Sequence, residues 1–188
     1  MILAWLVTAF MFATHPPEGE NVPRLDDIYG HFMYPGVEVT VGWYRCGAVN
    51  AYYDPTAKHV RMCVELVEEG VPVEAIRFMF AHEMGHAVIR QLDIPYVYSE
   101  EAATDELAAY VLHAAGKQST IEAGADFFAT KHMEGWRVHP LADHPDHLKR
   151  ALTLQCYALG AEGNALGCPR DWHHMVRTWT RLLPTWEN

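Results

Sequence analysis

Two histidines and a glutamate near the middle of the chain have the residue types and the spacing that metal-assisted catalysis needs. Residues 80–86 read FAHEMGH. On an α-helix, His82 and His86 lie one turn apart on the same face, where two imidazoles can hold one Zn²⁺. Glu83 lies about 100° round the helix from His82, beside the metal, where it could take a proton from water. The alternative is an ordinary helix that carries two histidines.

The helix that must carry this motif is predicted from Pro72 to about Leu92. Proline suits the first turn of a helix. Apolar residues then recur with helical periodicity, which predicts a buried helix and therefore a site from which bulk water is kept out. These apolar residues are Ile76, Met79, Phe80, Met84, Ala87 and Val88.

A zinc ion held by two histidines needs a third protein ligand and an open position for water. Ser99 is a good N-cap for a second helix, predicted from Glu100 to about Ala115. Glu101 could supply the third ligand, and Glu100 is a competitor for that role. Asp105, one turn further along, could accept the other ring N–H of a zinc-bound histidine. Acidic residues in a first helical turn also favour the helix dipole without any metal, so that interpretation stays open.

A β-hairpin is predicted directly before the motif helix. Residues 46–53 and 59–64 are its strands, and residues 54–57 have turn chemistry. Residues 37–41 alternate in polarity and are a further strand candidate. The edge of such a sheet could hold an extended peptide by main-chain hydrogen bonds, or the hairpin could be purely structural; the side chains do not decide between the two.

Four cysteines favour an oxidising compartment. Cys46 and Cys63 flank the predicted hairpin, and Cys156 and Cys168 flank a Gly-rich loop. Four cysteines allow three pairings, of which the local one, Cys46 with Cys63 and Cys156 with Cys168, is the simplest. The alternative is four buried thiols in a cytosolic protein. A four-cysteine zinc site is not expected, because no close Cys-x-x-Cys pair exists.

The composition narrows the class of protein. A chain of 188 residues is long enough for one domain with its own core. Its net charge of −10 argues against nucleic acid as a partner and against an anionic membrane surface. Residues 1–13 are almost wholly apolar but too short to span a bilayer comfortably, so no stable transmembrane helix is expected. They are typical of the apolar part of a signal peptide without a basic start, with a core element or a lipid-facing anchor as alternatives.

The segment from His82 to Asp105 resembles the gluzincin family of zinc peptidases, typified by thermolysin. The motif HEMGH is followed by EAATD at residues 101–105, which is similar to the Glu-x-x-x-Asp segment of that family. The resemblance implies that His82, His86 and Glu101 bind zinc and that Glu83 is the general base. It also implies that Asp105 supports a ligand histidine.

A wider resemblance is to an uncharacterised bacterial family of exported putative metallopeptidases. It is carried by residues 44–55, 62–66, the zinc motif and 100–105, and further on by residues 143–145 and 155–160. Arg45 and the short, uncharged N-terminus depart from that family and bear on export. The resemblance implies a zinc-dependent peptidase acting on a peptide or protein substrate. Two alternatives stay open: an exported zinc protein that binds a peptide or protein partner without turnover, and a disulfide-stapled interaction domain that holds no metal.

The residue that would stabilise the oxyanion is sought in the polar, Pro-broken loop at residues 139–147. Peptide hydrolysis benefits from a donor aimed at the developing oxyanion, and gluzincins use a histidine or tyrosine from the C-terminal half. By that resemblance His144 is the first candidate, with Asp143 orienting it, and His147 is the second. The alternative is a solvated loop, with Asp146 capping a helix at residues 147–159.

The fold class predicted from these patterns is α+β. We expect a mostly helical, zincin-like domain with a small antiparallel hairpin or sheet before the motif helix. Further helices are predicted at residues 120–133 and 171–183, the latter with a core-facing stripe that begins at Trp172. Residues 1–15 are interpreted as a signal peptide or hydrophobic segment, and residues 16–188 as one metallopeptidase-like domain. We expect export to the periplasm or the medium, with tethering by the apolar segment as the alternative; the oligomeric state stays open.

Overall fold

A small sheet packed against a set of α-helices makes up the part of the chain that this computed structural model describes, residues 21–135, 146–168 and 171–184. The α+β class predicted from the sequence is confirmed. The apolar segment at residues 1–15, Asp143 and His144 lie outside the described residues. The helices are α1 (Asp26–Tyr29), α2 (Glu65–Glu68), α3 (Val73–Gln91), α4 (Glu100–Ala114), α5 (Gln118–Met133), α6 (His147–Leu159), α7 (Ala161–Ala165) and α8 (Trp172–Leu182).

The sheet has three strands, β1 (Thr40–Tyr44), β2 (Ala51–Asp54) and β3 (His59–Cys63), in the order β1-β3-β2. Strands β2 and β3 form the predicted antiparallel hairpin, but β2 begins at Ala51 rather than at Cys46. Its turn is held by Asp54, whose carboxylate accepts the backbone N–H groups of Thr56 at 2.9 Å and Ala57 at 3.1 Å.

The third strand differs from the prediction in place and in direction. Strand β1 begins at Thr40 rather than at Val37, and it pairs with β3 in parallel. The chain before β1 alternates because Val37 and Val39 are buried in the core. The backbone of Glu38 does not pair with a strand there but exchanges two hydrogen bonds of 3.0 Å with the side-chain amide of Gln91 on α3. The alternation of apolar and polar residues before β1 therefore results from the burial of every second side chain rather than from pairing with another strand.

Two disulfides connect neighbouring parts of the chain. Cys46 is bonded to Cys63 and Cys156 to Cys168, which confirms the local pairing. The second disulfide joins α6 to the segment before α8. Disulfides of this kind are typical of an extracellular environment.

Helix α3 is the centre of the core and is buried on nearly every side. It has helix α4 and helix α5 as neighbours, together with strands β2 and β3 of the sheet. A helix that is apolar all round must be covered all round. The middle of α3 matches this rule except at its histidines and Glu83, while the polar residues Glu74, Arg77, Arg90 and Gln91 lie towards its two ends. The motif therefore lies inside the protein, as its apolar periodicity predicted.

The last helix closes the core from the C-terminal side. Three residues of the predicted stripe on α8, Trp172, Met175 and Trp179, are buried. Among the described residues, no helix combines the length and the apolar character that crossing a membrane requires.

Candidate metal centre

Three potential metal-binding side chains converge between α3 and α4. His82 and His86 project from α3, and Glu101 projects from the first turn of α4. All three are buried. The Nε2 atoms of the two histidines are 3.2 Å apart. Each of these nitrogens is also 3.2 Å from one oxygen of the Glu101 carboxylate.

These distances fit a tetrahedral cation. Zinc binds histidine nitrogen and carboxylate oxygen at about 2.0–2.2 Å, so two tetrahedral ligand atoms lie about 3.3 Å apart. The separation of 3.2 Å between the two nitrogens matches this value, and each nitrogen lies at the same distance from a different oxygen of the Glu101 carboxylate. One donor atom from each of the three residues can be chosen so that all lie within 4.8 Å of one another. The donor types, two imidazoles and one carboxylate, are those of catalytic zinc sites. The residues present therefore fit the ion that their chemistry implies.

The ring of His82 is oriented by a buried carboxylate. Its Nδ1 atom lies 2.8 Å from Asp105 on α4, so Nδ1–H donates to that carboxylate and Nε2 is directed towards Glu101 and His86. Asp105 in turn accepts two hydrogen bonds from Arg150 on α6, from Nε at 2.9 Å and from Nη2 at 2.7 Å. The carboxylate is thus held on both sides.

Neighbouring charges shift the pKa values of His82 and Asp105 in the direction opposite to the shift that burial causes. Burial lowers the pKa of His82, but the charge and hydrogen bond of Asp105 and the hydrogen bond of Glu101 raise it to about 9. Burial raises the pKa of Asp105, but Arg150 and His82 lower it to about 2. Metal binding at the Nε2 atom of His82 would therefore displace a proton.

The ring of His86 is oriented in the same way by the neighbouring glutamate. Its Nδ1 atom lies 2.7 Å from Glu100, whose carboxylate also accepts hydrogen bonds from Arg90 at 2.6 and 3.2 Å. Glu100 therefore lies on the Nδ1 side of His86, away from the point where the three donor atoms converge. Of the two competing carboxylates, it is Glu101 that the structure brings to that point.

Glu83 follows His82 on α3 and is only partly exposed. Burial raises the pKa of its carboxyl group, while the charges of His82 and His86 and a hydrogen bond from the backbone of Tyr53 act in the opposite direction. Because burial prevails, the proton affinity of Glu83 is higher than that of a solvated glutamate. A carboxylate whose pKa is raised in this way is better suited to accept a proton near neutral pH.

The short distance between α3 and α4 depends on Gly85. A Cβ atom at this position would lie 2.8 Å from Cγ2 of Thr104 and 3.3 Å from the Thr104 carbonyl oxygen. Thr104 cannot turn away easily, since its hydroxyl donates to the carbonyl of Glu100 at 2.8 Å. The glycine of the motif therefore lets the helix with the histidines approach the helix with the carboxylates.

Replacing Gly85 with alanine is expected to separate the two helices. The added methyl group must displace Thr104, and overpacking of this kind costs about 1–3 kcal/mol of folding stability. Zinc affinity should fall with it, because Glu101 lies on the displaced helix. Thermal unfolding with and without added zinc measures both effects. Gly30→Ala is the matched control, because Gly30 has a negative φ and an added Cβ would meet no atom within 4 Å; equal behaviour of the two variants would contradict the expectation.

The second oxyanion candidate lies on α6. His147 is the first residue of this helix, and its ring stacks on Phe128 with centroids 5.8 Å apart. Asp146 caps the helix by accepting the backbone N–H groups of Leu148 at 2.9 Å and Lys149 at 3.3 Å. The capping role that the sequence left open for Asp146 is therefore present.

Sequence reasoning missed Arg150 and the contact of Glu100 with His86. A signal for Arg150 exists in retrospect, because Arg150, Leu154 and Tyr157 share one face of α6 by helical spacing and all three are buried. An arginine on an apolar face needs a buried acidic partner. The sequence alone could not name Asp105, which is 45 residues away.

The comparison with protein families extends beyond the motif. Residues 71–167, about half of the chain, match the model of a family described as "Putative metallopeptidase". The matched segment contains all the residues of the centre described above. No curated protein and no solved structure matches the chain.

Proposed function

We propose that this chain, which belongs to the "Putative metallopeptidase" family, is a zinc-dependent peptidase of the gluzincin type. Membership of the family implies a metal ion and a peptide substrate. The observation that supports zinc most directly is the convergence of two imidazole nitrogens and one carboxylate at mutual distances of 3.2 Å. His82, His86 and Glu101 would hold the ion.

The ion, when bound, would act as a Lewis acid that lowers the pKa of water at its open position and polarises the substrate carbonyl. The remaining tasks belong to side chains of the protein. Glu83 takes the proton from the attacking water and returns it to the leaving amine. Its place next to His82 on α3 and its partial burial support this role.

The supporting residues keep the two histidines in one tautomer. Asp105 and Glu100 each accept Nδ1–H of one histidine, at 2.8 and 2.7 Å, which leaves both Nε2 lone pairs for the metal. The oxyanion donor remains a proposal from the resemblance alone, with His144 and its partner Asp143 first and His147 second.

We also propose that the protein is exported and that its catalytic part is a single domain. The two disulfides favour an oxidising compartment, and the apolar start at residues 1–15 is interpreted as a signal or anchor. Residues 16–188 would then form one catalytic domain.

Metal content and peptide hydrolysis, measured on the full chain, test the proposal together. We expect one zinc ion per chain by elemental analysis and cleavage of a mixed peptide library. A chelator should abolish cleavage, and added zinc should restore it. Chain purified without stoichiometric metal and unable to take up zinc would contradict the metal centre, whereas bound zinc without cleavage of any peptide would contradict the peptidase.

A further inference from the structure

Two buried charged groups, a carboxylate and a guanidinium, lie behind one ligand histidine. His82 donates a hydrogen bond to Asp105, and Asp105 accepts two more from the guanidinium group of Arg150. The side chains of Asp105 and Arg150 are only 5% and 7% exposed, so water does not compete for these contacts. We name this group the buried relay.

Behind the other ligand histidine lies a second pair of a carboxylate and a guanidinium group, with glutamate in place of aspartate. His86 donates to Glu100, and Glu100 accepts two hydrogen bonds from Arg90. Here the side chains of Glu100 and Arg90 are 19% and 46% exposed. We name this group the outer relay; it differs from the buried relay in its access to water.

We propose that Arg150 is a positioning residue of the metal centre, that it acts through Asp105, and that it contributes more to metal affinity than Arg90. This inference rests on the proposed function for the identity of the metal ligands. It adds to that proposal a residue from α6, a helix that supplies none of the three ligands.

Two kinds of contact fix the orientation of the Arg150 guanidinium group. Its two nitrogen donors bind the two different oxygens of Asp105, and this forked contact sets the plane of the carboxylate. On the other side the guanidinium carbon lies 3.9 Å from the centroid of Phe128. A cation on an aromatic face is a favourable contact, and the planar guanidinium can stack on the ring as the ammonium group of a lysine cannot. The carboxylate therefore has one orientation, and that orientation directs the ring of His82.

Because the two relays differ in solvent exposure, we expect them to contribute unequally to zinc affinity. If Arg90 is shortened, water can solvate Glu100 and the hydrogen bond to His86 survives. If Arg150 is changed, Asp105 keeps its hydrogen bond from His82 but loses the two from Arg150 in a place that water does not reach, so the carboxylate must move or recruit another donor. Movement of Asp105 turns the imidazole of His82 away from the metal.

The zinc affinity of the full chain, measured by competition with a chromophoric chelator, tests how much each of the two arginines contributes to metal binding. Arg150→Lys keeps the charge and loses the forked contact, so the dissociation constant should rise by about 10–100-fold. Arg90→Lys should raise it by about fivefold at most. Arg77→Lys is the matched control, because Arg77 lies on α3 like Arg90 but forms its ion pairs with Asp27 and Glu74, neither of which belongs to a relay; we expect wild-type affinity.

A double-mutant cycle separates a positioning role from a general structural one. In the Asp105→Asn background, Arg150→Met leaves no buried charge pair broken, so the double variant avoids the main cause of misfolding. If Arg150 acts through Asp105, Arg150→Met should weaken zinc binding strongly in the wild-type chain and hardly at all in this background. Thermal unfolding of the same four proteins reports stability separately.

Each outcome decides for or against the inference. Wild-type zinc affinity in folded Arg150→Lys, or additive losses in the cycle, would overturn it, as would a larger loss for Arg90→Lys. Loss of stability without loss of affinity would assign Arg150 to the core alone. A wild-type chain that binds no zinc would overturn the proposed centre itself, and this failure is recognised before any variant is made. Peptidase activity does not enter the measurement.

Discussion

Glu83→Gln is expected to lose peptide hydrolysis and to keep its zinc. The amide has nearly the shape of the carboxylate but cannot accept the proton of the attacking water. A general base contributes about 10²–10⁴-fold to the rate, so kcat should fall by at least about a hundredfold. The donor atoms of His82, His86 and Glu101 do not change, so metal content by elemental analysis should equal that of the wild-type chain.

The matched control for this substitution is Glu122→Gln, the same chemical change at an exposed position on α5. Its kcat should equal the wild-type value. Retained hydrolysis in Glu83→Gln would remove Glu83 from the role of base. Loss of zinc in that variant would instead make Glu83 part of the metal-binding set.

Glu101→Ala is expected to abolish stoichiometric zinc binding, whereas Glu100→Ala is expected to retain it with lower affinity. Both glutamates belong to the first turn of α4, and both lie close to a histidine of the motif. Only Glu101 faces the two Nε2 atoms, so its removal deletes a ligand. Removal of Glu100 deletes the acceptor of His86 Nδ1–H, and a supporting residue of this kind is worth about 10–100-fold in metal affinity.

Elemental analysis and zinc titration of the two variants side by side measure this difference. Circular dichroism should show that both are folded, because the first turn of α4 keeps its Ser99 cap, which accepts the backbone N–H of Ala102 at 3.2 Å. If Glu100→Ala lost the metal and Glu101→Ala kept it, the assignment of ligand and supporting residue would be reversed.

The parts of this structure that follow from local patterns could be predicted from the sequence. Helix α3 was expected from Pro72 to about Leu92 and extends from Val73 to Gln91. Helix α4 was expected to begin at Glu100 with Ser99 as its cap, and it does. Turn chemistry at Asp54 predicted the hairpin, and sequence proximity predicted both disulfides. Each of these depends on residues close together in the chain.

The parts that depend on packing between distant residues could not be predicted. Two adjacent glutamates on one helical turn point in directions about 100° apart. Which of them faces the histidines depends on how α4 crosses α3, and that crossing depends on the contact of Gly85 with Thr104. Likewise, no local period places Arg150 against Asp105 or sets β1 parallel to β3.

The close packing of Gly85 against Thr104 has a consequence for the connection between α3 and α4. That connection contains Tyr96, Val97 and Tyr98, and all three are exposed. Because the crossing is fixed by contacts inside the helices, the linker does not set the spacing of the donor atoms. We therefore expect that the chain can be lengthened here, or given a grafted loop or a permuted terminus, while His82, His86 and Glu101 keep their arrangement.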